Sequence, residues 1–210
     1  AERLRRPGMP ASPYRRLDAG AIGSLAMGYP AQLCEPDDPR LRDCVEFLLD
    51  TCFVKGAFYQ DMIHSGLNAY LTLHVAQVLL RAGDPRFLEL VDAVARLASP
   101  TGQWPEAIHP ATGGGCMGDG HHVWASAEWV LMVRNCFVRE EGERLILCAG
   151  IPPRWLQQEQ PIRFGPAPTR FGTVSVTVQP NLGGKPEVTW EGHWHNGEPD
   201  IEVRLPDSPA

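Results

Sequence analysis

The chain has 210 residues, of which 43% are hydrophobic and 21% charged, and its formal net charge is −6. That length and composition fit one globular domain, or one with a small appendage, and exclude a disordered or fibrous chain. No Lys/Arg cluster offers a nucleic-acid or anionic-membrane footprint, and no apolar run reaches the ~18 residues of a membrane span.

The first 40 residues hold six of the 20 prolines and no apolar core of signal-peptide length, so the expected compartment is cytoplasmic. Ala19 to Leu33 reads as a helix broken near Gly28-Tyr29-Pro30. Asp38-Pro39-Arg40-Leu41 then supplies an N-cap Asp with Pro at the first helical position. Leu41, Cys44, Val45, Leu48, Leu49 and Cys52 follow at the 3-4 spacing of one helix face. A second helix is expected from about Ser65, carrying Leu67, Tyr70, Leu71, His74, Val75, Val78 and Leu79, and ending at Gly83. Asp84-Pro85-Arg86-Phe87 opens a third, and a fourth spans about Gly120 to Val138. His74 sits on an apolar face and is expected to be a satisfied core residue.

These segments repeat. Asp38-Pro39-Arg40 returns as Asp84-Pro85-Arg86 and Gly56-Ala57-Phe58 as Gly102-Gln103-Trp104, each 46 residues on. A period of that size predicts stacked helical hairpins. The expected fold is therefore mainly α, an α/α-hairpin array over residues 1–143, followed by a small antiparallel β appendage over 144–210. Leu145–Cys148, the strictly alternating Gly172–Val178, Val188–Trp190 and Ile201–Leu205 are its expected strands.

Six cysteines lie mostly in apolar runs, with no C-x-x-C pair and no metal-ligand spacing, so free thiols and no metal are expected. His121 and His122 are adjacent and point ~100° apart on a helix, which argues against a shared ion. His193 and His195 read as surface residues. No cofactor-binding fingerprint is present.

The chemistry-bearing residues fall in two loops. One, from Ser99 to Asp119, holds Trp104, Glu106, His109 and five glycines. The other, at the matched position one hairpin earlier, holds Phe58, Tyr59, Asp61 and His64. An indole beside a carboxylate suits a sugar: the C–H face stacks on the ring while an acid or base acts at the anomeric carbon. Pattern alone equally allows Trp104 in the core and Glu106 as a cap. Offset-matched loops are expected on one rim, so Glu106, Trp104, Asp61, His64 and His122 are expected to line one cleft.

Trp104-Pro105-Glu106, the Gly-rich loop, and the stretch Gly118-Asp119-Gly120-His121-His122-Val123-Trp124-Ala125-Ser126-Ala127-Glu128-Trp129 resemble the last hairpins of six-hairpin (α/α)6-toroid glycosidases. The likeness is greatest to the α-L-rhamnosidase-like members. Ala149-Gly150-Ile151-Pro152 and Ala167–Ser175 resemble that family's exit into a β-sandwich. One departure is His121-His122, where the family has Asn-His. The resemblance implies an inverting O-glycoside hydrolase, with Glu106 as general base and the general acid several hairpins upstream; the matched loop makes Asp61 the local candidate for that acid. It implies Trp104 and His122 as sugar-pocket residues, and the two loops add His64, Tyr59 and Asp119 as candidate substrate-binding residues. Six units of 46 residues would need about 276 residues, so the chain resembles the C-terminal part of such an enzyme. Its open flank would then be covered by the missing hairpins or a second copy. The alternative is a non-catalytic helical module that binds carbohydrate or a protein partner.

Overall fold

The computed structural model describes residues 17–61, 65–118, 120–182 and 184–206. The chain divides into two units, Ala1–Met132 and Val133–Ala210. The dividing point falls inside a helix and before the expected residue 143. The last turn of that helix supplies Val133, Cys136 and Phe137 to the core of the second unit.

The helices of the first unit begin where local chemistry dictates. Helix α1 (Leu17–Ser24) runs into a short 3-10 turn, Leu25–Met27. Helix α2 (Pro39–Thr51) is capped by Asp38, whose carboxylate accepts from the Arg40 backbone N–H at 2.9 Å and from the Arg40 guanidinium. Helix α3 (Ala69–Ala82) is capped by Asn68, whose Oδ1 accepts from Leu71 N–H, and ends at Gly83 in the left-handed region. Helix α4 (Arg86–Leu97) repeats the α2 start, with Asp84 Oδ1 accepting from Arg86 N–H at 3.0 Å. The 46-residue repeat is therefore real as local structure. Gly56 and Gly102, also 46 apart, both adopt positive φ, +81° and +77°.

The expectation of a mainly α toroid portion is overturned. The described residues are 37% helix and 27% strand, an α/β mix with three sheets. Between the helices lie β1 (Phe53–Val54), β2 (Ala57–Gln60), β3 (Gly66–Leu67), β4 (Ala107–Ile108) and β5 (Gly115–Met117). They form one sheet in the order β1-β2-β3-β4-β5, every pair antiparallel. Segments of two to four residues are too short for a period of 2 to show in a sequence, so they read as loops. Helices α3 and α4 pack on each other and on β2. Helix α5 (Val123–Phe137) follows the sheet. Near its start and middle, Val123, Trp124, Val130 and Leu131 are exposed.

The second unit contains β6 (Val138–Glu141) and β7 (Arg144–Leu147), then β8 (Ile162–Thr169), β9 (Gly172–Gln179), β10 (Glu187–Trp194) and β11 (Asp200–Val203). Strands β8, β9 and β10 form an antiparallel sheet. Val174, Val176 and Val178 of the alternating strand face inward, against a core that includes Leu145, Leu147, Phe137 and Ile151. The wholly antiparallel appendage expected from the sequence needs correcting: β11 pairs with β7 in parallel, Ile201 opposite Leu145. Strands β8 to β10 intervene between β7 and β11, so the chain has length enough to return in the same direction. Among the described residues no helix is long and apolar enough to cross a membrane.

Candidate functional site

The five-stranded sheet decides where the expected site residues stand. Tyr59 lies on β2 opposite Leu67, which in turn faces Ile108 on β4, so the three share one row. Asp61, exposed, immediately follows β2; Glu106, half-buried, immediately precedes β4. Both strands run antiparallel to β3 and hence parallel to each other, so the two carboxylates leave opposite ends of the sheet. Asp61 is two residues beyond the shared row and Glu106 two residues before it. That is about 13 Å of rise, plus roughly 10 Å across two strand spacings. The separation is too great for these short side chains to form a pair ~6.5–9.5 Å apart, as inversion requires. The expectation of one cleft holding both is corrected accordingly. His64 and Asp119 lie outside the described residues.

Trp104 is a core residue. It is 3% exposed, its indole N–H donates to the Val94 carbonyl at 2.9 Å, and its ring packs 5.4 Å from Trp129. Its repeat partner Phe58 is buried too, at 1%. The matched positions are thus equivalent in packing, and the open indole expected at Trp104 is not there. Glu106 is positioned by the loop that returns over it. A Cβ on Gly118, whose φ is +68°, would lie 3.2 Å from Glu106 Cβ and 3.8 Å from its Oε2. The positive φ favours glycine there, and the absent side chain lets the loop pack closely against Glu106.

His122 donates its backbone N–H to the Trp104 carbonyl at 2.9 Å, and its ring centroid is 5.0 Å from that of Tyr70. Tyr70 is the centre of a cluster that motif reading missed. Its ring stacks on Trp124 with centroids 4.3 Å apart and an interplanar angle of 26°. The Trp124 indole N–H lies 3.4 Å from Glu128 Oε1, and His74 Nε2 lies 3.2 Å from the same oxygen. His74 is therefore partnered, but by a carboxylate on α5 rather than within an apolar core. Burial raises the Tyr70 phenol above its ordinary range; the Asn68 side chain opposes this, and the Glu106 charge adds to it. Tyr70 thus remains a protonated hydroxyl, and Glu106 lies within electrostatic reach of it.

Two polar atoms of the cluster, His122 Nδ1 and Glu128 Oε2, are buried without a protein hydrogen-bond partner. Such an atom costs about 1–3 kcal/mol, so native folds keep few of them. The signal that could have disclosed the cluster is spacing. Tyr70 and His74 are one helical turn apart on α3, and Trp124 and Glu128 one turn apart on α5.

Among the described residues no group of three or more His, Cys, Asp or Glu is placed to hold a metal ion. Two clefts lie elsewhere. One, of about 190 Å³, is bordered by Leu41, Val45, Glu46 and Arg86; the other, of about 120 Å³, by Met27, Cys34, Asp38 and Cys44. Neither includes Glu106 or the aromatic cluster. In the larger one, Arg86 is tied to Glu46 and Asp84, and in the smaller Arg40 is tied to Asp38. The acidic and basic groups of both clefts are thus engaged with one another, with one carboxylate in excess at Arg86. The chain matches no protein-family model, no curated protein and no solved structure.

Proposed function

We propose that this protein acts on carbohydrate, hydrolysing an O-glycosidic bond with inversion, and that Glu106 is the general base. The observation that carries the reading is a half-buried carboxylate, Glu106, against which the glycine loop packs at Gly118. The likeness of the Trp104-Pro105-Glu106 and Gly118–Trp129 segments to rhamnosidase-like glycosidases supports it as motif, independently of any toroid. In this reading Glu106 takes a proton from water as the water oxygen attacks the anomeric carbon. The bond to the leaving oxygen breaks as that oxygen takes a proton from solvent water, and the proton held by Glu106 returns to solvent. Asp61 is not the proton donor, since it stands at the other end of the sheet. The exposed apolar side chains of α5 belong to the same reading, as the flank that a larger enzyme or a second copy would cover.

The test is turnover of a panel of aryl glycosides, with product anomers followed by NMR. Glu106→Gln is expected to lower kcat by about 10²–10⁴-fold with the fold intact. Unchanged turnover in that variant, or retention of anomeric configuration, overturns the assignment. A second reading is carbohydrate binding without cleavage. It is favoured by the separation of Asp61 from Glu106, and its signature is saturable binding with no turnover of any glycoside.

A further inference from the structure

The antiparallel sheet of the second unit has two unlike edges. Strand β8 forms one and β10 the other, with β9 between them. Strand β8 is protected against further pairing: it carries Pro166 and Pro168, and its register with β9 shifts between Phe164 and Ala167. Strand β10 has neither device. From Glu187 to Trp194 each residue stands opposite one residue of β9, with no bulge and no proline. Among the described residues β9 is its sole strand neighbour, so its outer side presents a regular row of backbone N–H and C=O groups. Val188, Trp190 and Gly192 stand opposite Val178, Val176 and Val174 and share the inner face. Glu187, Thr189, Glu191 and His193 stand opposite Gln179, Thr177, Ser175 and Thr173 on the other face, and all four are exposed. Trp190 is 37% exposed although it shares the inner face with Val176, and its indole N–H donates to Glu198 Oε1 at 2.8 Å.

We propose that β10 pairs antiparallel with β10 of a second copy of this chain about a two-fold axis, joining the two sheets into one continuous sheet. Such an axis stands normal to the sheet. The inner faces of both copies then stay on one side, and opposite residues must share a face. The axis therefore passes through a residue position, and the charges select which one. Centred on Glu191, the pairing sets the two Glu191 carboxylates against each other. Centred on Thr189, it sets Glu187 against the partner's Glu191, twice. Centred on Trp190, it sets Glu187 opposite the partner's His193, again twice, and Thr189 opposite the partner's Glu191. The two Trp190 rings then meet on the inner face. Like charges directly opposite destabilise paired strands, whereas aromatic pairs and a carboxylate facing an imidazole donor support them. The Trp190 register also keeps residues 187–193 of both strands paired. A two-fold interface requires a patch complementary to itself, and this one is. That match favours a second copy over a foreign extended segment, which would need no such symmetry. The pairing is independent of Glu106 and of hydrolysis.

The experiment is sedimentation equilibrium of the full chain at about 1 to 200 μM, the range suited to a small interface. Wild-type protein is expected to approach twice the monomer mass at the upper end. His193→Glu places a carboxylate opposite the partner's Glu187, and Thr189→Glu places one opposite the partner's Glu191. Each is expected to raise the dimer Kd about tenfold or more. Glu187→Lys combined with His193→Glu exchanges the two charges and is expected to return the Kd to within about threefold of wild type. All three positions are exposed, so unchanged far-ultraviolet circular dichroism is expected of every variant. Where His193→Glu fails to fold, Thr189→Glu carries the same test. A monomer at every concentration overturns the proposal, and so does a dimer indifferent to both single variants. A double variant that stays as weak as His193→Glu overturns the Trp190 register. Association that survives His193→Glu but is lost on Leu131→Glu, at an exposed position of α5, places the second copy elsewhere and overturns the β10 pairing.

Discussion

Replacing Trp104 by Ala separates the two tryptophans by what they do. Trp104 is 3% exposed, donates its indole N–H to the Val94 carbonyl at 2.9 Å and packs beside Trp129. Removing the side chain opens a cavity, at a cost of about 3–5 kcal/mol for a buried Trp→Ala change. The Val94 carbonyl also loses its donor, which contributes about 1–3 kcal/mol of that total. Against a stability of about 5–15 kcal/mol this is a large fraction. At roughly 2–4 °C per kcal/mol for a chain of this size, the melting temperature should fall by about 6–20 °C. Trp104→Phe keeps most of the ring and loses the hydrogen bond, so a smaller loss of about 1–3 kcal/mol is expected. Trp124→Ala gives up a half-exposed ring and one stacking contact, about 1 kcal/mol. Urea unfolding followed by far-ultraviolet circular dichroism measures all three. If Trp104→Ala costs under about 1 kcal/mol, the burial argument fails.

All six cysteines are free thiols, and burial pushes Cys136 and Cys148 up to about 12, whereas Cys116 is exposed. An aromatic disulfide reagent at pH 8 should label Cys116 first, leave Cys148 unlabelled in the native protein, and count six thiols in denaturant; rapid native labelling of Cys148 would refute this. Hydrogen bonds from Arg86 hold the carboxyls of Asp84 and Glu46 below their ordinary ranges. The unfolded chain therefore binds protons there at a pH where the folded one does not. The stabilisation is present above about pH 4 and lost as pH falls through the lower folded values. Glu46 and Arg86 are 40% and 41% exposed, so the effect is about 1 kcal/mol or less and shrinks at high salt. Arg86→Ala should flatten the acid limb of a stability–pH curve measured below pH 5, and an unchanged limb refutes the assignment.

What the sequence determined by itself is what short range decides. Asp38 and Asp84 each cap a helix through an Arg two residues on, so the cap, the repeat and both helix starts were legible. Gly83 ends α3 in the left-handed region, and Gly172–Gln179 keeps its period of 2 because one face is buried throughout. Glu106 and His122 were legible as candidates because polar, ionisable side chains stood in glycine-rich segments.

The tertiary structure alone decided which of those side chains meet. Strands of two to four residues carry no periodicity, so the sheet that sends Asp61 and Glu106 to opposite ends was invisible. The parallel pairing of β11 with β7 is a choice of neighbour made across more than fifty residues. The exposure of an indole depends on what covers it, not on the residues beside it. Trp104 is covered by Trp129 and the α4 backbone, while Trp124 has Tyr70 beneath it and solvent above. Local pattern therefore placed the tryptophan in the right loop but on the wrong side of the surface. Packing between α3 and α5 assembled Tyr70, His74, Trp124 and Glu128 from two separate helical turns.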